Sequence, residues 1–276
     1  MKKILLTTDF SKNANQAIEY AMQLFKYDEC QFYVLNVLKA SSFISDDLMS
    51  MKPTSNLYNQ LIDSIKIKLD NYLDSIKLKH NNILHEFIPI IDYDNLIAAV
   101  NQIVSKHDIK MIVMGTKGAS NVVKKLIGSN TMHVIQGCEA AVLAIPDNYD
   151  YRPIKKVLFT SNYENKYCPE DLTVLLNLVE HHDYKVDILH ILNQKSLTVE
   201  QEQVRQTLRD CFKNASHQFI EIEEGEFLTT IEDYAEKQEI DLFAMVNRKH
   251  GFWESLFSEQ KLEKVAYKIN MPLLVM

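Results

Sequence analysis

Gly115-Thr116-Lys117-Gly118 is followed by nine residues and then by Gly128-Ser129-Asn130-Thr131. The whole chain holds six glycines, so finding Gly115, Gly118 and Gly128 in one short stretch is a local concentration rather than background. Glycine lets backbone N–H groups approach a ligand closely and permits positive φ. Ser129 is placed to open a helix that runs to about Gly137, read here as its C-terminal cap. A helix N-terminus behind a glycine turn, at the carboxyl end of a strand, attracts anions through unpaired N–H groups and the helix dipole. Asp9 closes the first apolar run of the chain, where a carboxylate can accept ribose hydroxyls. The pairing is the chemistry of holding a nucleotide, with amides on phosphate and an acid on sugar. The plainer alternative gives Gly115 and Gly128 only turn and capping roles.

Catalytic chemistry is less well supplied. No GxxxxGK[ST] loop occurs, and Lys117 does not stand where such a loop needs its lysine. One carboxylate, Asp9, does not make a catalytic constellation, so no catalytic residue is assigned. Lys117, Lys124 and Lys125 flank the glycines and could neutralise a triphosphate. The four cysteines, Cys30, Cys138, Cys168 and Cys211, are scattered without metal-ligand spacing and read as buried or incidental thiols. The neighbours His181 and His182 should point in different directions on a helix or be solvated on a turn, so no metal site is expected. His85, His133 and His190 fall on elements read as core. A phosphorelay receiver would need an acid pair after the first strand, and Thr7-Thr8 precede the single Asp9.

Short apolar runs at 3–8, 31–38, 83–90, 110–114 and 140–145 read as buried strands. Asn13–Phe25, Leu57–Lys79 and Tyr93–Lys106 carry apolar residues at helical spacing. Ser11 is placed to cap the first helix and Asp94 the third. The serine-rich stretch Lys39–Asn56 is longer than most strand-to-helix loops and could close over a ligand. Strands alternating with helices imply parallel βαβ units, with ligands outside the carboxyl ends of the strands.

The pattern occurs twice. Lys2–Phe10 aligns with Lys155–Tyr163, and Phe32–Leu38 with Val186–Leu192. Asp108–Met114 aligns with Glu239–Met245, and Ala141–Ile145 with Pro272–Met276. Asp147–Pro153, polar and ending in proline, reads as the linker between domains at 1–147 and 154–276. The second copy has lost the site: Asn162 replaces Asp9, Val246–Trp253 replaces the first glycine block, and Ser258-Glu259 stands where Gly128-Ser129 would. Bulky side chains obstruct a backbone approach there, although Arg248, Lys249 and His250 still offer charge to an anion.

A length of 276 residues suits two domains, and a net charge of −7 argues against a nucleic-acid-binding surface. No apolar run is long enough for a membrane helix. Met1-Lys2-Lys3-Ile4-Leu5-Leu6 is too short an apolar stretch for an export signal, so a cytoplasmic location is expected.

The first half resembles the universal stress protein family across nearly its full length. Leu6-Thr7-Thr8-Asp9-Phe10-Ser11 is similar to that family's first-strand signature, and Gly115–Ser129 to its ATP-binding motif. The resemblance implies an α/β fold with a doubly wound, five-stranded parallel sheet of order 3-2-1-4-5 in each half. It implies that the halves form an intramolecular pseudo-dimer, with Ala141–Ile145 and Leu273–Met276 meeting edge to edge, and that further homo-oligomers could form. ATP or AMP, with Mg2+ as a companion, would contact Asp9 through ribose or adenine and Val37 through its backbone. Gly115, Gly118, Gly128, Ser129 and Asn130 would hold the phosphates. The function so implied is a non-catalytic nucleotide sensor in stress response. The alternatives are a ligand-independent scaffold and a slow ATPase.

Overall fold

The computed structural model describes residues 1–38, 55–93, 95–116, 128–164, 166–192, 196–223, 227–247 and 270–276. In the first half β1 (Lys2–Thr7), β2 (Cys30–Val37), β3 (His85–Asp92), β4 (Met111–Gly115) and β5 (Ala141–Ile145) alternate with α1 (Lys12–Leu24), α2 (Ser55–His80), α3 (Leu96–His107) and α4 (Ser129–Gly137). The second half repeats the plan. Its strands are β6 (Lys156–Thr160), β7 (Lys185–Leu192), β8 (His217–Glu223), β9 (Leu242–Met245) and β10 (Leu273–Val275). Its helices are α5 (Thr173–His182), α6 (Val199–Cys211) and α7 (Phe227–Gln238), with a short 3-10 turn at Pro169–Leu172 before α5.

All ten strands form one sheet of order β3-β2-β1-β4-β5-β10-β9-β6-β7-β8. Each half therefore has order 3-2-1-4-5. Every pairing is parallel except the central one, where β10 runs antiparallel to β5 with Leu274 opposite Leu143. The expected edge-to-edge meeting of the last strands is what joins the halves. It converts two exposed sheet edges into a paired ladder, which removes a template for aggregation.

Strand residues alternate between two cores, one on each face of the sheet. Leu6, Val113, Leu143, Phe159 and Leu274 pack on the face covered by α1, α2, α5 and α6. Leu5, Ile112, Val142, Leu158 and Val275 pack on the face covered by α3, α4 and α7. A sheet buried on both sides explains why these strands read as continuous apolar runs.

Two local expectations are corrected. Asp94 lies outside the described residues, and the cap of α3 is Asn95, whose side chain accepts from the Ile97 N–H at 2.9 Å. Gly137 is the last residue of α4 and not a left-handed cap; Cys138 follows it with extended backbone at φ −117°. A Cβ at 137 would stand 3.1 Å from Ile97 Cγ2, a close approach that the isoleucine side chain would have to ease by a few tenths of an ångström. The segment Asp147–Pro153 is also less of a solvated tether than its polarity suggests. Tyr149 is buried, and the rings of Tyr149 and Tyr151 lie 6.2 and 5.2 Å from that of Tyr20 on α1.

Candidate functional site

The strand registers bring the first-half candidates together. Thr7 pairs with Leu35 and Leu6 with Val113, so Asp9 stands level with Val37 on one side and Thr116 on the other. All three lie at the carboxyl ends of β2, β1 and β4. The strand order reverses between β1 and β4, which is where ligands sit in open α/β sheets. Asp9 is exposed, and its Oδ1 accepts from the Ser11 N–H at 2.9 Å. Ser11 in turn caps α1 by accepting from Ala14 N–H at 3.2 Å. Phe10, between them, has φ 60°, the left-handed geometry that turns the chain sharply from strand into helix. Val37 is the half-buried last residue of β2.

Gly128 is the N-cap of α4, and its N–H donates to the Thr116 carbonyl. Thr116 N–H donates to Ile145 O at 2.9 Å, and Thr131 Oγ1 donates to Gly115 O at 2.9 Å. These bonds pin the first turn of α4 against the end of β4. Ser129 and Asn130 in that turn are exposed. Gly118, Lys117, Lys124 and Lys125 lie outside the described residues, as do the stretch 39–54 and Arg248, Lys249, His250, Ser258 and Glu259.

Gly115 has a role the sequence did not show. A Cβ there would stand 2.7 Å from Asn13 Cγ and 2.8 Å from Asn13 O. Glycine at 115 is thus required by the close passage of α1 over β4. Gly115→Val is expected to lower stability by about 2 kcal/mol through overpacking, measured as a shift in the urea midpoint. Adding Asn13→Ala should restore only part of the loss, since the backbone oxygen remains; full restoration would place the conflict wholly in the side chain.

A second residue missed in sequence is Asn36, a buried amide within the apolar run of β2. Its Nδ2 donates to the Thr8 carbonyl at 2.7 Å and so fixes the turn that carries Asp9. The polar residue in an apolar strand was the available signal. The repeat places His190 at the same position, and His190 Nδ1 bonds the Ser161 carbonyl at 2.9 Å. His85 bonds the Phe25 carbonyl through Nε2 at 3.0 Å, whereas His133, expected in the core, is exposed on α4.

Burial holds the His190 imidazole below its ordinary pKa of 6.5, against the opposing pull of the Ser161 carbonyl, Glu221 and Glu164. A histidine depressed in the folded state contributes stability above pH 6.5 that is lost as pH falls through its folded pKa. His190→Asn, which copies Asn36, should keep the carbonyl bond and reduce the drop in urea midpoint between pH 7.5 and 5.5. An unchanged drop would assign the acid sensitivity to other groups.

The equivalent turn of the second half is tied up in its own hydrogen bonds. Asn162 is buried; its Oδ1 accepts from Glu164 N–H at 3.1 Å and its Nδ2 donates to Glu164 Oε2 at 2.6 Å. Gln201, in the first turn of α6, reaches the Asn162 carbonyl at 3.4 Å. Tyr163 is fully buried and stacks on His190 with centroids 4.4 Å apart. Val246, which is buried, occupies the place of Gly115 in the repeat, and the counterpart of α1 begins later in the chain.

A doubly wound α/β sheet in each half, joined edge to edge, with an exposed helix N-terminus and an acid at one switch point, defines a tandem α/β protein. The model of the universal stress protein family matches residues 1–146, and the chain belongs to that family. No curated protein matches it. Among solved structures, a universal stress protein from Archaeoglobus fulgidus is similar over 99% of this chain and 95% of its own, at 18% identity and a TM-score of 0.69. A Pseudomonas aeruginosa protein described as functionally unknown covers 100% of this chain and 92% of its own, at 13% identity and a TM-score of 0.62. Both likenesses span both halves and show the shared tandem fold. Among the described residues, no helix is long and apolar enough to cross a membrane.

Proposed function

We propose that the chain is an adenine-nucleotide-binding stress-response protein, with one site in the first half (residues 1–147). The second half (residues 154–276) serves as a structural partner. The observation that carries this reading is the exposed first turn of α4, anchored at the carboxyl end of β4, with exposed Asp9 level with Thr116 at the next strand end. The N–H groups of that turn suit phosphate, and Asp9 suits a ribose diol. Gly128, Ser129 and Asn130 would cradle ATP or AMP, and Val37 would offer its backbone to the base. Gly118 would complete the cradle, and Gly115 would keep α1 close to the strand end. A magnesium ion would arrive with a triphosphate. Asp9 is a single carboxylate at the switch point, which does not make a catalytic constellation, and the reading is of a sensor whose occupancy a partner detects.

The test is nucleotide content and stoichiometry. Purified protein is denatured, released nucleotide is identified by mass, and stripped protein is titrated with ATP and AMP by calorimetry. About one nucleotide per chain is the expected result. Two per chain would overturn the assignment of the second half. None at millimolar ATP would leave a ligand-independent scaffold as the better reading, and metal-dependent turnover would favour an ATPase.

A further inference from the structure

Asp28, His181 and His182 meet between the two halves. Asp28 lies in the turn from α1 to β2 and is 4% exposed. His181 and His182 end α5. Their expected divergence as neighbours on a helix is corrected by the structure: His181 Nε2 stands 2.9 Å from Asp28 Oδ1, and His182 Nε2 stands 3.5 Å from Asp28 Oδ2. The repeat explains the meeting. Asp28 and His182 each precede the aligned pair Phe32 and Val186 by the same interval, so they are equivalent positions that face each other across the pseudo-twofold relation of the halves.

Polar satisfaction in this cluster is incomplete. Lys2 Nζ also holds Asp28 Oδ1, at 2.9 Å. Asp28 Oδ2 and His182 Nε2 are both buried without a hydrogen-bond partner, since 3.5 Å is too long and orphaned buried atoms are costly. The three donor atoms all lie within 4.8 Å of one another. Ligands about 2.0–2.1 Å from a tetrahedral zinc ion lie about 3.3 Å apart, within the 4.8 Å span of these donor atoms, and the His182 Nε2–Asp28 Oδ2 spacing of 3.5 Å is close to that value.

We infer that Asp28, His181 and His182 form a binding site for a divalent transition metal ion, of which zinc is the representative, clamping the two halves together. Two imidazoles with one carboxylate suit zinc and its neighbours and not magnesium or calcium, which take oxygen ligands. Lys2 occupies Oδ1 and so turns Oδ2 toward the ion as a single-oxygen ligand. The stacking of His182 on Tyr184, with centroids 5.2 Å apart and planes at 14°, fixes the ring direction, as outer partners of metal ligands do. The carbonyl end of α5 adds negative potential at the same point. His181 is exposed, so it provides the entry path and leaves the fourth coordination position to water. Cys30, two residues on, is buried and lies outside the group of donor atoms that come together.

The test titrates zinc chloride into the full-length, metal-stripped chain at pH 7.5 in competition with a chromophoric chelator. One zinc per chain is expected, with a tetrahedral absorption spectrum when cobalt is substituted. His181→Gln and His182→Gln should each weaken binding by about tenfold or more, while His217→Gln, remote on β8, leaves it unchanged. Circular dichroism confirms that each variant is folded. His181→Gln, at an exposed position, keeps the test decisive should His182→Gln unfold. No binding by the wild-type chain at tens of micromolar zinc, or binding that survives the double variant His181→Gln/His182→Gln, overturns the inference. Nucleotide stoichiometry is read separately, so either result stands without the other.

Discussion

Leu274→Asp is expected to lower the unfolding free energy by about 4 kcal/mol, the scale on which an unpaired buried charge destabilises a protein. Leu274 is fully buried, lies in the middle of β10 and faces Leu143 of β5. Its side chain enters the core shared by both halves, which includes Phe159 on one side and Val113 on the other. A carboxylate there loses its hydration with no cation to meet it, and the apolar contacts of the leucine are lost as well. Since whole domains are stable by only about 5–15 kcal/mol, this loss should show as a large fall in the urea midpoint. Leu274→Met, which conserves volume, should cost less than about 1.5 kcal/mol. A midpoint unchanged by Leu274→Asp would mean that the β5–β10 ladder is not what holds the halves together.

Asp9→Ala is expected to weaken adenine-nucleotide binding by about tenfold to a hundredfold, the worth of one or two hydrogen bonds to a charged acceptor. The same side chain accepts the Ser11 N–H, so alanine also removes a turn-forming bond before α1. Asp9→Asn separates the two effects. Asn162 makes the equivalent bond to Glu164 N–H in the second half, which shows that an amide can support this turn. Asp9→Asn should therefore keep the thermal stability of the wild type and still bind nucleotide more weakly, having lost the charge. Equal affinity in all three proteins would remove Asp9 from the site.

The sequence by itself determined the elements, the repeat and the family. Apolar runs of strand length and helical spacing are local signals, and the alignment of Lys2–Phe10 with Lys155–Tyr163 needs no coordinates. The left-handed turn repeats at Phe10 and Tyr163, with φ 60° and 56°, because the two copies carry the same chain reversal. Element ends moved by one to three residues for local reasons, as at α3, where Asn95 rather than Asp94 makes the capping bond.

Tertiary structure decided what distant segments do to one another. Gly115 looked like a ligand-facing glycine, and only the passage of Asn13 over it shows the steric demand of packing. The histidine pair at 181–182 looked inert, because sequence spacing describes directions around one helix and nothing about what that helix meets. Asp28 is more than 150 residues away in the chain, and the pairing of β5 with β10 sets the two halves so that it lies beside the pair. Burial of Asp28 Oδ2 and His182 Nε2 then removes the water that would otherwise satisfy them, which turns ordinary surface residue types into the inferred site.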